Sequence, residues 1–161
     1  MAVTLDIVES WRRPRVVMRR KLAEGLAEGR SLAVLMGACT LIFVAQWPRL
    51  AREAHVDPSV PLEGRLGATL FAVIFVAPLM FYTLAALSQG VARLFGGRGP
   101  AAAMRFALFW ALLAVSPAML LHGLASGFLG AVPGVSVAGA GVLLVFLYIW
   151  VANMIEAQRW T

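Results

Sequence analysis

Charge is what this 161-residue sequence lacks over most of its length. No Asp, Glu, Lys or Arg occurs in 31–48, in 66–92 or in 106–155. A water-soluble domain of this size has too much surface per volume to hide such runs, which excludes that class. Cysteine is nearly absent too. Cys39 stands alone in an apolar run, so no intrachain disulfide can form, and it reads as a small packing residue. His55 and His122 have no second His or Cys at ligand spacing, and no metal site is expected. Walker, dinucleotide-binding, zincin and nucleophile-elbow motifs are all missing, so neither catalytic residues nor a cofactor are expected. The first thirty residues are charged throughout and lack the apolar stretch of a signal peptide, so no cleavage is expected.

What is present is hydrocarbon. Apolar residues make up 61% of the chain and the mean hydropathy is +0.83. A bilayer core takes about 20 residues of apolar helix. The uncharged stretch 106–155 would reach about 75 Å as one helix at about 1.5 Å per residue, so it must fold back once. The cluster Gly127, Gly130, Pro133 and Gly134 marks the reversal. The expected architecture is therefore all-α: a polytopic bundle with spans near 31–48, 66–94, 101–129 and 133–157, after an amphipathic basic segment at 1–30. Uniform apolarity without two-residue alternation speaks for helices over barrel strands.

Charge then orients the bundle. Of 14 basic residues only Lys21 is a lysine, and seven precede the first span: Arg12, Arg13, Arg15, Arg19, Arg20, Lys21 and Arg30. Basic residues of short loops stay in the cytoplasm. Four spans with both termini inside put eleven basic residues on that side and three, Arg49, Arg52 and Arg65, opposite. The arginine, alanine and glycine bias suggests a GC-rich bacterial genome, hence the inner membrane. The net charge of +6 and pI near 11.0 are thus accounted for without nucleic acid, for which stacking aromatics are also missing.

Within 4–12, Ile7, Val8 and Trp11 share a face. After Pro14, the stripe Met18, Leu22 and Leu26 is flanked by Arg15, Arg19, Arg20 and Lys21. Such a segment is expected to lie on the membrane surface or to dock on a partner through Trp11 and the basic residues from Arg12 to Lys21. Pro78 and Pro117 are expected to kink the second and third spans, with Ser116 able to bond a freed carbonyl. Gly123 and Gly127 form a GxxxG pair, and Gly139 and Gly141 belong to a small face on the fourth span. Both fit packing of the last two helices on each other or on a second copy. His122 is the one titratable side chain well inside a span, and a hydrogen bond to a neighbouring helix is its expected role. His55 is expected to form a solvated pair with Asp57. The run Gly96-Gly97-Arg98-Gly99-Pro100 is expected to end the second helix on a left-handed glycine and restart the third at Pro100.

Gly96, Gly97 and Gly99, followed by a span carrying Ser116 and Pro117, resemble the Yip1-domain family over roughly 66–157. The resemblance implies an integral membrane protein with a basic cytoplasmic N-terminus, and it supplies no catalytic residues. Two functions follow from the residues. One is a non-enzymatic scaffold or accessory protein of the bacterial inner membrane, such as a subunit or assembly factor of a larger membrane complex of the respiratory or photosynthetic kind. The other is an oligomeric transporter or channel for a small neutral or lipid-like molecule. A lipid-acting enzyme would have His122 as its only candidate. Membrane lipids, other membrane proteins or the chain itself are the expected partners.

Overall fold

The computed structural model describes residues 2–160. Two short helices, α1 (Val3–Arg12) and α2 (Pro14–Ala23), precede α3 (Glu28–Val56). Then come α4 (Leu62–Phe71), a wide π turn (Ala72–Val76), α5 (Ala77–Leu94), α6 (Ala101–Leu129) and α7 (Pro133–Arg159). The α4–α5 stretch runs as one helix, so four helices are long and apolar enough to cross a membrane. The fold is an all-α, four-span membrane bundle preceded by charged helices.

At its centre stands α6, whose residues from Ala103 to Ser116 are buried on every side except at Arg105. Alanine makes this close approach possible: Ala103, Ala107, Ala111 and Ala114 are all fully buried and add little bulk between neighbours. Helix α3 packs along one flank of α6 and α7 along another. The GxxxG pair serves the first of these contacts. A Cβ on Gly123 would collide with the Ala45 backbone, and one on Gly127 would stand 2.5 Å from Pro48 Cβ. The pair therefore seats α3, not α7. Gly139 of α7 does face α6, whereas Gly141 faces open space. Asn153 Nδ2 donates to the Ala107 carbonyl at 3.3 Å and ties α7 to α6.

The three in-helix prolines are handled differently. α3 continues past Pro48 to Val56, beyond the expected span end, carried by the Arg49–Glu53 pair one turn apart. Before Pro78 the helix widens, and Ala77 N–H donates to the Ala72 carbonyl five residues back, which relieves the crowding a proline ring imposes on the preceding turn. Pro117 leaves the Leu113 carbonyl without its helical donor, and Ser116 Oγ supplies one at 2.7 Å. The second span ends in a Schellman turn: Gly96 has φ +80°, with Gly97 N–H bonded to Ala92 O and Gly96 N–H to Arg93 O. Gly99 lies against the Ala157 backbone and accepts from Gln89 Nε2 at 2.9 Å.

The N-terminal segment is a helical hairpin docked on α6 and α7. Val3, Leu5 and Val8 face outward, while Asp6 and Ser10 are fully buried. Asp6 pairs with Lys21 Nζ at 2.5 Å and Arg20 at 2.6 Å. Lys21 also lies 5.2 Å above the Trp110 ring, whose Nε1 donates to Ser10 Oγ at 3.0 Å. Trp11 Nε1 donates to the Ala114 carbonyl at 2.8 Å, and Arg19 reaches Glu156 at 2.7 Å. The stripe Met18, Leu22 and Leu26 packs on the bundle core. Only Arg12, Arg13 and Arg15 of the expected surface cations are exposed and without an ion pair among the described residues.

Two outcomes follow for stability in detergent. Gly123→Leu should destabilise the bundle by about 1–3 kcal/mol or more through overpacking, while Gly141→Ala leaves it unchanged, as read by unfolding midpoints. Burial alone would raise the Asp6 carboxyl, but Lys21 and Arg20 outweigh it and hold it below the usual carboxylate range. A lowered folded value means the stabilisation is present above about pH 4 and is lost as pH falls through the folded value. Acid should therefore loosen the hairpin, seen as lower amide protection relative to the intrinsic rate in α1 and α2. Asp6→Ala should cost about 3 kcal/mol at neutral pH, because Lys21 keeps only Glu24, at 3.6 Å, as a carboxylate partner.

Candidate functional site

Three helices aim matching stripes at one space. α3 contributes Ile42, Ala45, Gln46 and Arg49; α6 contributes Met119, His122, Gly123 and Ser126; α7 contributes Gly139, Val142, Leu143 and Phe146. Each set follows the three-and-four spacing that keeps residues on one helix face. Phe81 and Leu84 of α5 add the far wall. The chamber is half-open, with a volume of about 650 Å³ and mostly apolar walls. It exists because α3 and α7 both pack on α6 while making no more than marginal contact with each other.

A second cavity of about 570 Å³ lies beyond it, toward the short turns, and shares Arg49, His122 and Ser126 with the chamber. Its walls are charged. Arg49 bonds Glu53 at 3.2 Å, and Arg65 reaches Glu53 at 3.6 Å and Asp57 at 3.4 Å. Asp57 also accepts from Ser59 N–H at 3.1 Å, which with Arg65 holds its carboxyl below the ordinary value. These two partners, not His55, hold Asp57. Arg52 makes no ion pair among the described residues. Its guanidinium instead donates to the Gly127 and Phe128 carbonyls at 3.2 and 3.0 Å, at the negative end of α6. Gly130, at φ +75°, leaves the room this needs, since a Cβ there would stand 2.7 Å from Arg52 Nη2.

His122 stands in the wall common to the two cavities. Its Nε2 lies 3.0 Å from the Val135 carbonyl of α7. A carbonyl only accepts, so the bond places a proton on Nε2, and a neutral ring then keeps Nδ1 as an acceptor. Ser126 Oγ donates back to the His122 carbonyl at 2.9 Å. Gly139 lets the ring lie against α7, because a Cβ there would come within 2.8 Å of Nε2. Among the described residues no three His, Cys, Asp or Glu side chains gather, and Cys39 is buried and unpaired.

The residues singled out from sequence are thus dispersed. Trp11, Arg19, Arg20 and Lys21 serve the hairpin; Gly123 and Gly127 seat α3; Pro78 and Pro117 lie in the second and third spans. Gly123, Gly139 and His122 also line the chamber. Sequence reading gives Arg49, Arg52 and Ser126 no site role. The signal that marks Arg49 and Ser126 is the recurrence of one spacing, 42-45-46-49, 119-122-123-126 and 139-142-143-146, in three separate spans.

Fold and cavity together define a multi-spanning α-helical membrane protein with an intramembrane chamber. Comparison with protein-family models, curated proteins and solved structures gives no match.

The His122 geometry is open to nitrogen NMR. The neutral ring should be the Nε2–H tautomer in the native chain, and Gly139→Ala should shift it toward a mixture of tautomers. An Nδ1–H ring in the native chain would contradict the Val135 bond.

Proposed function

We propose that the chain is a non-enzymatic membrane protein that holds a lipid-like molecule within its own bundle. The observation that carries this reading is the chamber of about 650 Å³, walled by all four spans with mainly apolar side chains. Ligand sites are concave and mostly apolar with a few placed polar groups, in the range of about 300–1,000 Å³. Gln46, Arg49, His122 and Ser126 are the polar groups here. The chamber belongs to one chain, so this form of the transporter-like reading needs no oligomer.

The scaffold or accessory reading has its own support. Along α7 the exposed residues Gly134, Val137, Ala138, Gly141, Leu144 and Tyr148 form an outward stripe, and a Cβ on Gly134 or Gly141 would meet nothing within 4 Å. A neighbouring membrane helix would pack closely there. Eleven basic residues against three support a placement with both termini in the cytoplasm, and the arginine, alanine and glycine bias supports the bacterial inner membrane. Membership of the Yip1 family is proposed on Gly96, Gly97, Gly99, Ser116 and Pro117 alone.

The test is binding of a pyrene-labelled acyl probe by purified protein in mild detergent. Val142→Trp, which fills the chamber, should weaken binding about tenfold or more while the protein stays folded. Unchanged affinity would remove the chamber as the site. For the accessory reading, Gly141→Cys should crosslink to a partner of defined mass in native membranes.

A further inference from the structure

We infer that the lipid-like molecule is anionic: an acidic lipid of the surrounding bilayer, with its chain in the chamber and its headgroup in the arginine-lined cavity. This rests on the chamber reading and adds the identity of the polar end. Three observations carry it.

The first is adjacency. The apolar chamber and the charged cavity share Arg49, His122 and Ser126, so they lie side by side and one amphiphile could seat its chain in the first and its headgroup in the second. The second is charge. Three guanidiniums, Arg49, Arg52 and Arg65, face two carboxylates, Glu53 and Asp57, which leaves one positive charge in excess. Arg52 is the cation without a carboxylate partner, and it is fixed by the Gly127 and Phe128 carbonyls, which order the group without cancelling its charge. A guanidinium held in place with N–H groups to spare is a ready receptor for phosphate or carboxylate oxygens. The third is access. Because α3 and α7 barely touch, and α5 and α7 do not pack on each other either, the chamber has flanks facing lipid through which a chain enters sideways. A soluble anion would need no such flank, and a lipid without net charge would leave the excess positive charge of the exposed arginines to solvent.

The test compares retention of dioleoyl phosphatidylglycerol and dioleoyl phosphatidylcholine by the full-length protein, counted by native mass spectrometry. The native chain should retain the acidic lipid about tenfold better, the scale of one charge-assisted contact. Arg52→Gln should bring the two lipids to near parity, and Arg52→Lys should keep the preference. Arg49→Gln provides a second route to lost preference should Arg52→Gln fail to fold. Val142→Trp should lower retention of both lipids alike. Equal retention of the two lipids by the native chain, with loss of both in Val142→Trp, would overturn the anionic inference and leave the chamber reading standing. Retention untouched by Val142→Trp would overturn both. Complete displacement of the acidic lipid by millimolar inorganic phosphate would show a site for the free anion and overturn the assignment to lipid.

Discussion

A bilayer offers no hydrogen bonds, and this structure is organised by the need to satisfy backbone groups without solvent. An unpaired carbonyl or N–H in hydrocarbon costs several kcal/mol, so each interruption of a helix needs a local remedy. Ahead of Pro78 the remedy is a change of helix pitch, with Ala77 reaching Ala72. At Pro117 it is a hydroxyl on Leu113 and, one carbonyl further on, an indole from another helix on Ala114. At the end of α6 it is a guanidinium on Gly127 and Phe128. The remedies also bind the fold together, because two of them come from distant elements. Trp11 is tied to α6 by the same group that covers its carbonyl, and Arg52 links α3 to α6 in the same way.

The second organising fact is that one helix is surrounded and the others are not. Small residues on α6 let three neighbours, and the N-terminal hairpin, approach it closely in its first half. In its second half, α6 is flanked by α3 at Gly123 and Gly127 and by α7 at His122, with the chamber between. The site is therefore a by-product of the packing order. α3 and α7 are each bound to α6, and the space they leave is what side chains of the 119–126 stripe look into.

Much of this was legible in the chain. Unbroken apolar runs of bilayer length gave four spans, the Gly-Pro cluster after Gly127 gave the last reversal, and Gly96 fitted a helix-ending turn. Ser116 was recognisable as a donor because its place relative to Pro117 is fixed by helix geometry. What sequence spacing left open was partnership. Gly123 and Gly127 announce a close contact, but only the fold shows that α3, sixty and more residues earlier, fills it. The hairpin was the least legible part. A stripe of Ile7, Val8 and Trp11 suggests an apolar face to be buried, yet Val8 is exposed and the covered residues are Asp6 and Ser10. Arg52 stayed hidden for a similar reason: as a loop arginine it is one of three, and its distinction lies in carbonyls 75 and 76 residues away.

The hairpin also imposes an order in time. α1 and α2 are made before α6 and α7, but Trp11 needs Ala114, and Arg19 needs Glu156, 137 residues later. At about 5–20 residues per second, Arg19 waits roughly 7–30 s for its partner. During that wait Asp6 and Lys21 have each other but no Trp110 above them, so the hairpin is formed yet unseated. An element made before the spans is then locked only after α7 exists. Its docking requires both α6 and α7, which ties the seating of the hairpin to the assembly of the four spans.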